Sequence, residues 1–157
     1  MLGFDAIYKQ TITLFNRISA GGGDIYWYPT IIRGVHLYDS QTSTWSNQGG
    51  NSGNNATVHI MYQIVNGQIM VAGKPYYPPK QYRLLDAPQD AITFAFGHHD
   101  DSDFFIRGEF GFDGAVSDDA HDRHGFFNYM KKTNDDVYSV SGVTIYNLIP
   151  HFEITGR

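Results

Sequence analysis

Residues 98–103, "HHDDSD", hold the densest group of side chains that could do chemistry. Two imidazoles and three carboxylates within six positions could bind a divalent cation. However, neighbouring residues of a strand point to opposite faces, so these groups cannot all converge on one ion. Asp101 and Asp103 alternate as in an EF-hand loop, but the central glycine and the final glutamate of that loop are missing. The pattern favours a solvated hairpin tip and leaves open an ion bound by His98, Asp100, Asp101 and Asp103.

A second cluster, "DDAHDRHG", places His121 and His124 three residues apart, which on a helix would put both on one face. Zinc sites use that geometry, but no glutamate lies between the two histidines to act as a base. The acids that flank them favour a charged helix N-terminus instead. Residues 117–132 are the one helix candidate, with Ser117 or Asp118 as the cap and two lysines in the last turn.

Nucleophilic catalysis finds little support in the sequence. The chain has no cysteine, which removes thiolate chemistry and disulfides, and it contains no phosphate-binding loop. Ser141 lies in "SVSGV", which resembles a nucleophile elbow without its spacing. His151, near the end of the chain, has no identifiable partner and is interpreted as a structural histidine. We therefore predict no catalytic, cofactor-binding or metal-binding residues.

Two aromatic stretches, "IYWYP" at 25–29 and "PYYPP" at 75–79, could stack on sugar rings or unpaired bases. Neither is accompanied by the polar side chains that fix a sugar or a phosphate. The favoured interpretation is that alternate aromatic residues pack in the core and the others cover a protein interface. The rival interpretation is a carbohydrate-binding or receptor-binding module, and its exposed aromatic residues would be Trp27, Trp45, Tyr76 and Tyr77.

The elements that position these groups have the two-residue period of strands. "TITL" at 11–14 alternates, and "ATVHIMYQIV" at 56–65 would place Val58, Ile60, Tyr62 and Ile64 on one face. "NG" at positions 66 and 67 predicts a hairpin. "HFEIT", after Pro150, predicts a short final strand with Phe152 and Ile154 on one face. Strands are also expected on both sides of the acidic hexamer, at 90–97 and 103–112. Further strands are expected at 25–39 and 136–149.

Two segments lack that period. Residues 41–55 are polar and rich in glycine and asparagine, and we predict a mobile loop there. Residues 74–88 carry four of the six prolines, which predicts an extended arm or ordered loop near 74–82. With no internal repeat and no linker, residues 1–157 are expected to form a single all-β domain, a sandwich or a barrel, with at most one short helix.

Composition excludes several classes of function. The net charge of −5 argues against sequence-independent nucleic-acid binding over the whole surface, because that mode needs clustered basic residues. No run of 18 apolar residues and no basic flank before an apolar run occurs, so a soluble, intracellular chain with no membrane contact is expected. Only 17% of the residues are charged, which is permissive toward association.

Four blocks of the sequence are distinctive: "TITLFNR" at 11–17, "WYPTIIRGVHLYD" at 27–39, "ITFAFG" with "DFFIRGEF" at 92–110, and "VTIYNLIPHFEITGR" at 143–157. Their arrangement resembles a family of small minor structural proteins encoded in the head and tail gene clusters of tailed bacteriophages and prophages. In this family a phenylalanine strand leads to an aspartate and a glycine, here Asp103 and Gly108. The ending is of an "LPHW" type, here with Phe152 in place of tryptophan. The loop at 46–55 and "HHDDSD" depart from the pattern.

The resemblance implies a role without catalytic residues. It implies a virion protein, assembled in the bacterial host cytoplasm, that acts as a head-tail connector, adaptor or tail completion subunit. Its partners would be copies of itself in an oligomeric ring and neighbouring phage head or tail proteins. The acidic net charge would suit a lumen that passes DNA without sequence-specific binding. The alternatives are the carbohydrate-binding module and a metal-dependent hydrolase using His98, His121 and His124.

Overall fold

The computed structural model describes residues 8–46, 49–97, 102–112 and 114–157, and within 40–54 it describes only the backbone. These residues form ten strands and two α-helices. The strands are β1 (Gln10–Ser19), β2 (Ile25–Ser46), β3 (Gly49–Met61), β4 (Gln63–Val65), β5 (Gln68–Val71), β6 (Lys74–Pro75), β7 (Phe104–Arg107), β8 (Val116–Ser117), β9 (Val137–Tyr146) and β10 (His151–Gly156). The helices are α1 (Pro79–Tyr82) and α2 (Phe126–Thr133), and short 3-10 turns occupy 21–23 and 88–90.

Six of the strands close into an antiparallel barrel. Their order is β1-β7-β9-β10-β3-β2, and β2 pairs again with β1, while β8 adds to β2. β4, β5 and β6 form a separate small sheet. The prediction of an all-β fold is confirmed, and of its two alternatives the chain adopts the barrel.

The barrel closes because β2 is long and bent. β2 pairs with β1 as far as Val35 and with β3 from His36 onward. Gly34 is the extra residue of a bulge between these two halves, with a φ of +72° that side chains other than glycine rarely adopt. Because of this bulge, β2 can bend and pair with β1 in its first half and with β3 in its second half.

The core has two parts because β1 and β7 are buried on both faces. Leu14 and Phe105 point into the barrel, among the side chains of β2, β3, β9 and β10. Their neighbours Phe15 and Phe104 point outward and pack under Phe126 of α2. Large aromatic side chains therefore fasten the helix to the outside of the barrel.

The final strand is central in the sheet. β10 lies between β9 and β3 and pairs with both along its length. Phe152 and Ile154 are fully buried, as the alternation in "HFEIT" predicts. The ending of the described chain is therefore part of the barrel wall, and it closes the sheet as predicted.

Gly156 is expected to tolerate no side chain. A Cβ there would lie 2.8 Å from Cβ of Tyr138 and 2.9 Å from the ring of Phe105, both buried. Gly156→Ala is expected to lower the free energy of unfolding by about 1 to 3 kcal/mol, because the core must shift to make room. Urea unfolding measures this, with Gly21→Ala as the control because a Cβ at Gly21 meets nothing within 4 Å. Equal stability of the two variants would contradict the prediction.

The loop predicted at 41–55 is replaced by a hairpin. The backbones of β2 and β3 stay paired from Ser40 opposite Asn55 to Ser46 opposite Gly49. Backbone hydrogen bonds form a ladder whatever the side chains are, so the polar composition does not end the strands. Residues 47 and 48 lie outside the described residues.

The proline-rich segment 74–82 lies against the barrel and is no extended arm. Tyr76 bridges Ile92 and stacks on Phe94, and Tyr82 donates a buried hydrogen bond to the carbonyl oxygen of Pro88. Tyrosine side chains bury large areas, and this burial offsets the hydrogen bonds that the prolines cannot make.

The helix begins nine residues later than predicted, at Phe126. Gly125 precedes it with a φ of +104°, a conformation that interrupts a helix. The N-cap is therefore Gly125 and not Ser117 or Asp118 as predicted, although Oδ1 of Asp118 accepts a hydrogen bond of 3.1 Å from the backbone N–H of Phe126. The residues between them form turns, and this places His121 and His124 outside the helix.

Candidate functional site

The predicted ion site at the acidic hexamer lies largely outside the described residues, which include neither His98 nor Asp100 and Asp101. Asp103 is described, and it is buried in the protein. Its Oδ1 accepts a hydrogen bond of 2.9 Å from the backbone N–H of Arg17. Its Oδ2 accepts hydrogen bonds from Nδ2 of Asn16 at 2.9 Å and from the backbone N–H of Ala95 at 2.8 Å. Asp103 therefore faces inward, toward β1 and the segment before the hexamer.

Burial raises the pKa of Asp103 to about 7, and its three hydrogen-bond donors and the charge of Arg83 act in the opposite direction. The buried Oδ1 of Asn16 and Oγ1 of Thr93 have no hydrogen-bond partner among the described residues. A cavity of about 240 Å³ beside this cluster is lined by Arg17, Ile18, Ser19, Arg83 and Ala95. Asp103 therefore ties β1 to the segments on either side of the hexamer, and its contacts with the described residues include no second carboxylate or imidazole.

The two histidines of the second cluster do not converge. The ring of His121 stacks on Tyr129 at 4.8 Å, whereas Nε2 of His124 accepts a hydrogen bond from Arg123. Among the described residues, no three histidine, aspartate or glutamate side chains lie close enough to hold a metal ion. The zinc geometry expected of a helix is absent because both residues lie in turns before α2.

The proposed aromatic platform is not formed by Trp27 and Tyr76. Trp27 is 3% exposed, donates its Nε1–H to Asp118 at 2.8 Å and packs on Phe104. Tyr76 is 8% exposed. Tyr77 is half-buried, and the side chain of Trp45 lies outside the described residues. The expectation that Trp27 and Tyr76 are exposed is wrong because α2 and the segment 88–94 cover them.

An apolar surface at one end of the barrel is the strongest candidate site. Its members are large hydrophobic side chains that are 39% to 98% exposed, here called the barrel-end surface: Met61, Ile64, Val65, Ile145, Tyr146, Leu148 and Ile149. They come from the end of β3, from β4, from the end of β9 and from the turn that leads into β10. Large exposed apolar patches mark sites of interaction with other molecules.

Tyr62 joins the two halves of the barrel-end surface. Its hydroxyl donates to the carbonyl oxygen of Tyr146 and approaches Oδ1 of Asn147, both at 2.9 Å, and its backbone N–H donates to the carbonyl oxygen of Pro150. The turn before β10 is therefore held against the junction of β3 and β4. Leu148 stands at the tip of this turn and is 98% exposed.

His151 lies in the same row as two members of the surface. It pairs with Tyr146 on one side and with Met61 on the other, and its ring stacks on Tyr146 at 4.6 Å. Its Nδ1 is 2.6 Å from the carbonyl oxygen of Ile149, so it also orders the turn. These contacts agree with a structural histidine.

A row of histidines borders the barrel-end surface on the outside of the barrel. His36, His59 and Glu153 lie side by side on β2, β3 and β10, and the ring of His59 is 5.3 Å from that of His151. Burial lowers the pKa of His59, Glu153 raises it, and the imidazoles of His151 and His36 lower it further.

The barrel-end surface is built from two uncharged stretches. Residues 61–73 and 137–150 contain no Asp, Glu, Lys, Arg or His. Sequence reasoning missed the surface, although "NLIP" at 147–150 carries a signal. A turn between strands that exposes leucine and isoleucine departs from the polar residues that turns normally use.

Residues 7–157 match the family DUF6751, a family of unknown function, so the chain belongs to that family. No match was found among curated proteins or among solved structures. None of the helices in the described ranges has the length and apolar composition that a membrane span requires.

Proposed function

We propose that this DUF6751 member is a non-enzymatic structural subunit of a tailed-bacteriophage virion. In this proposal it acts as a head-tail connector, adaptor or tail completion subunit, in an oligomeric ring assembled in the host cytoplasm. The observation that carries the proposal is the barrel-end surface, an uncharged apolar area on a protein with a net charge of −5. The resemblance of four sequence blocks to phage minor structural proteins supplies the biological setting.

The closed barrel supports an assembly role through its rigidity. Each of the six barrel strands has a neighbour on both sides over part of its length, whereas in the described pairing residues 40–46 of β2 and 49–55 of β3 pair only with each other. Association of the barrel itself therefore uses side chains and not strand edges. A rigid barrel that presents a fixed apolar surface loses little entropy when it binds, which favours ordered assembly. Its partners in this proposal are copies of itself and neighbouring head or tail proteins.

The charge of the chain fits a position next to DNA. A net charge of −5 repels the phosphate backbone, so a ring of these subunits would let DNA pass through its lumen without holding it. Lysine and arginine clusters would have the opposite effect.

The test is a deletion in a prophage that encodes the protein. After induction, negative-stain electron microscopy is expected to show heads and tails that are not joined, or tails with an incomplete end, and infectivity is lost. The intact chain supplied from a plasmid is expected to restore joined particles, whereas the empty plasmid is not. Mass spectrometry of purified particles is expected to detect the chain. Normal, infectious particles from the deletion strain would overturn the proposal.

A further inference from the structure

We propose that the barrel-end surface binds a second copy of this chain head to tail, a heterologous contact that can repeat around a ring. This inference rests on the proposed function, which needs contacts between copies, and it names the surface that makes them. Leu148 of one copy is the projecting residue. Its receptor on the other copy is an apolar groove of about 460 Å³ next to the same surface, lined by Met61, Tyr62, Gln63, Val65, Met70, Ala72 and Gly73.

The projecting Leu148 and the apolar groove have complementary shapes. Leu148 is 98% exposed at the tip of a turn, and this turn is anchored by Tyr62 and His151, so the leucine is presented in a fixed position. The groove lies between the end of β3 and the hairpin of β4 and β5, and two of its lining residues are methionines. Methionine side chains adapt to the shape of an inserted apolar group.

The exposed area is close to that of a stable contact. A large side chain buries on the order of 200 Å². With their exposed fractions, the seven members of the barrel-end surface present roughly 700 Å², against about 800 Å² from each partner in a standard protein-protein interface. The adjoining groove adds to this area.

Charge favours a second copy over a partner with a charged surface. Two chains with a net charge of −5 repel each other over most of their surfaces, and the uncharged stretches 61–73 and 137–150 let them approach without facing like charges. A charged partner would lose hydration against this apolar area without gaining an ion pair. The same uncharged surface on a second copy incurs no such cost.

Sedimentation equilibrium of the purified full chain tests the proposal. The parent chain is expected to self-associate, and Leu148→Glu is expected to weaken that association at least about tenfold, because a carboxylate would be buried in the groove. Leu84→Glu is the matched control, since Leu84 is another leucine with high exposure, 83%, outside the barrel-end surface. A monomeric parent chain at all concentrations, or equal effects of the two substitutions, would overturn the inference.

Crosslinking identifies the contact directly, because the chain has no cysteine of its own. A mixture of the Leu148→Cys and Val65→Cys chains is expected to give a crosslinked heterodimer with a short bis-maleimide. The mixture of Leu84→Cys and Val65→Cys is expected to give none. Equal yields in the two mixtures would overturn the assigned contact.

The proposed function and this inference fail in different ways. A chain that is monomeric in solution but restores joined phage particles in the deletion strain overturns the docking of two copies and leaves the virion role standing. A chain that self-associates through Leu148 but is absent from particles supports the docking and overturns the virion role.

Discussion

Phe152→Ala is expected to lower the free energy of unfolding by about 3 to 5 kcal/mol, because it removes a large side chain from the centre of the barrel. Phe152 is 0% exposed and lies on β10, which connects β9 to β3. Its ring packs on three other aromatic rings, with centroids 4.8 Å away for Tyr76, 4.9 Å for Phe94 and 5.2 Å for Tyr62. Rings held by three separate segments of the chain cannot close the cavity without moving the backbone.

Urea unfolding followed by far-UV circular dichroism measures this loss. Phe96→Ala is the matched control, because Phe96 is 57% exposed and truncating it removes little buried area. The control is expected to change the free energy of unfolding by less than about 1 kcal/mol. A cost for Phe152→Ala as small as that for Phe96→Ala would show that β10 is not the centre of the core.

The sequence predicts this part of the fold because the signals there are local. The alternation in "HFEIT" places Phe152 and Ile154 on one face, and the structure buries both. The "NG" hairpin is equally local: Asn66 and Gly67 both have positive φ, as the tight turn between β4 and β5 requires. Two-residue periodicity and turn chemistry can be read directly from neighbouring residues.

Predictions from the local pattern are wrong where a distant segment covers a residue or where a strand ends within a continuous alternation. The pattern predicts one strand through Ile64, but β3 ends at Met61 and the chain bends around the buried Tyr62. Ile64 is thereby exposed on the barrel-end surface. Trp27 is buried because α2, about a hundred residues later, covers the outer face of the barrel. Neither outcome can be read from the local pattern.

The predictions for the polar segments are wrong for a related reason. Residues 41–55 have a composition typical of loops, yet they extend the ladder that His36 and His59 begin. Asp103 follows a run of charged residues and is expected at a solvated tip, but its neighbours Phe104 and Phe105 anchor β7 in both cores and carry Asp103 into the interior. In both cases the adjoining strand, and not the polarity of the segment, sets the backbone path.

The stability of the protein is expected to fall as the pH rises from about 4 to about 7, because of Asp103. Its pKa is about 7 in the folded state, against 3.8 as the ordinary value. Between these values the unfolded chain releases this proton and the folded chain keeps it, so a rising pH favours unfolding. The change is on the order of 4 kcal/mol across this range, since one pKa unit corresponds to about 1.4 kcal/mol.

Asp103→Asn isolates this contribution, because an amide of the same shape does not titrate in either state. The free energy of unfolding, measured in urea at pH 4, 5, 6 and 7, is expected to fall more steeply for the parent chain than for Asp103→Asn. Asp86→Asn is the control, since Asp86 is exposed, and it is expected to keep the slope of the parent chain.

The substitution at Asp103 also sets the introduced amide NH2 against a donor at Arg17 or Asn16, so this variant is expected to be less stable at pH 4, where Asp103 is largely neutral in the folded parent chain. If the parent chain and Asp103→Asn have the same slope, the donors around Asp103 outweigh its burial and the carboxylate is ionised in the folded barrel.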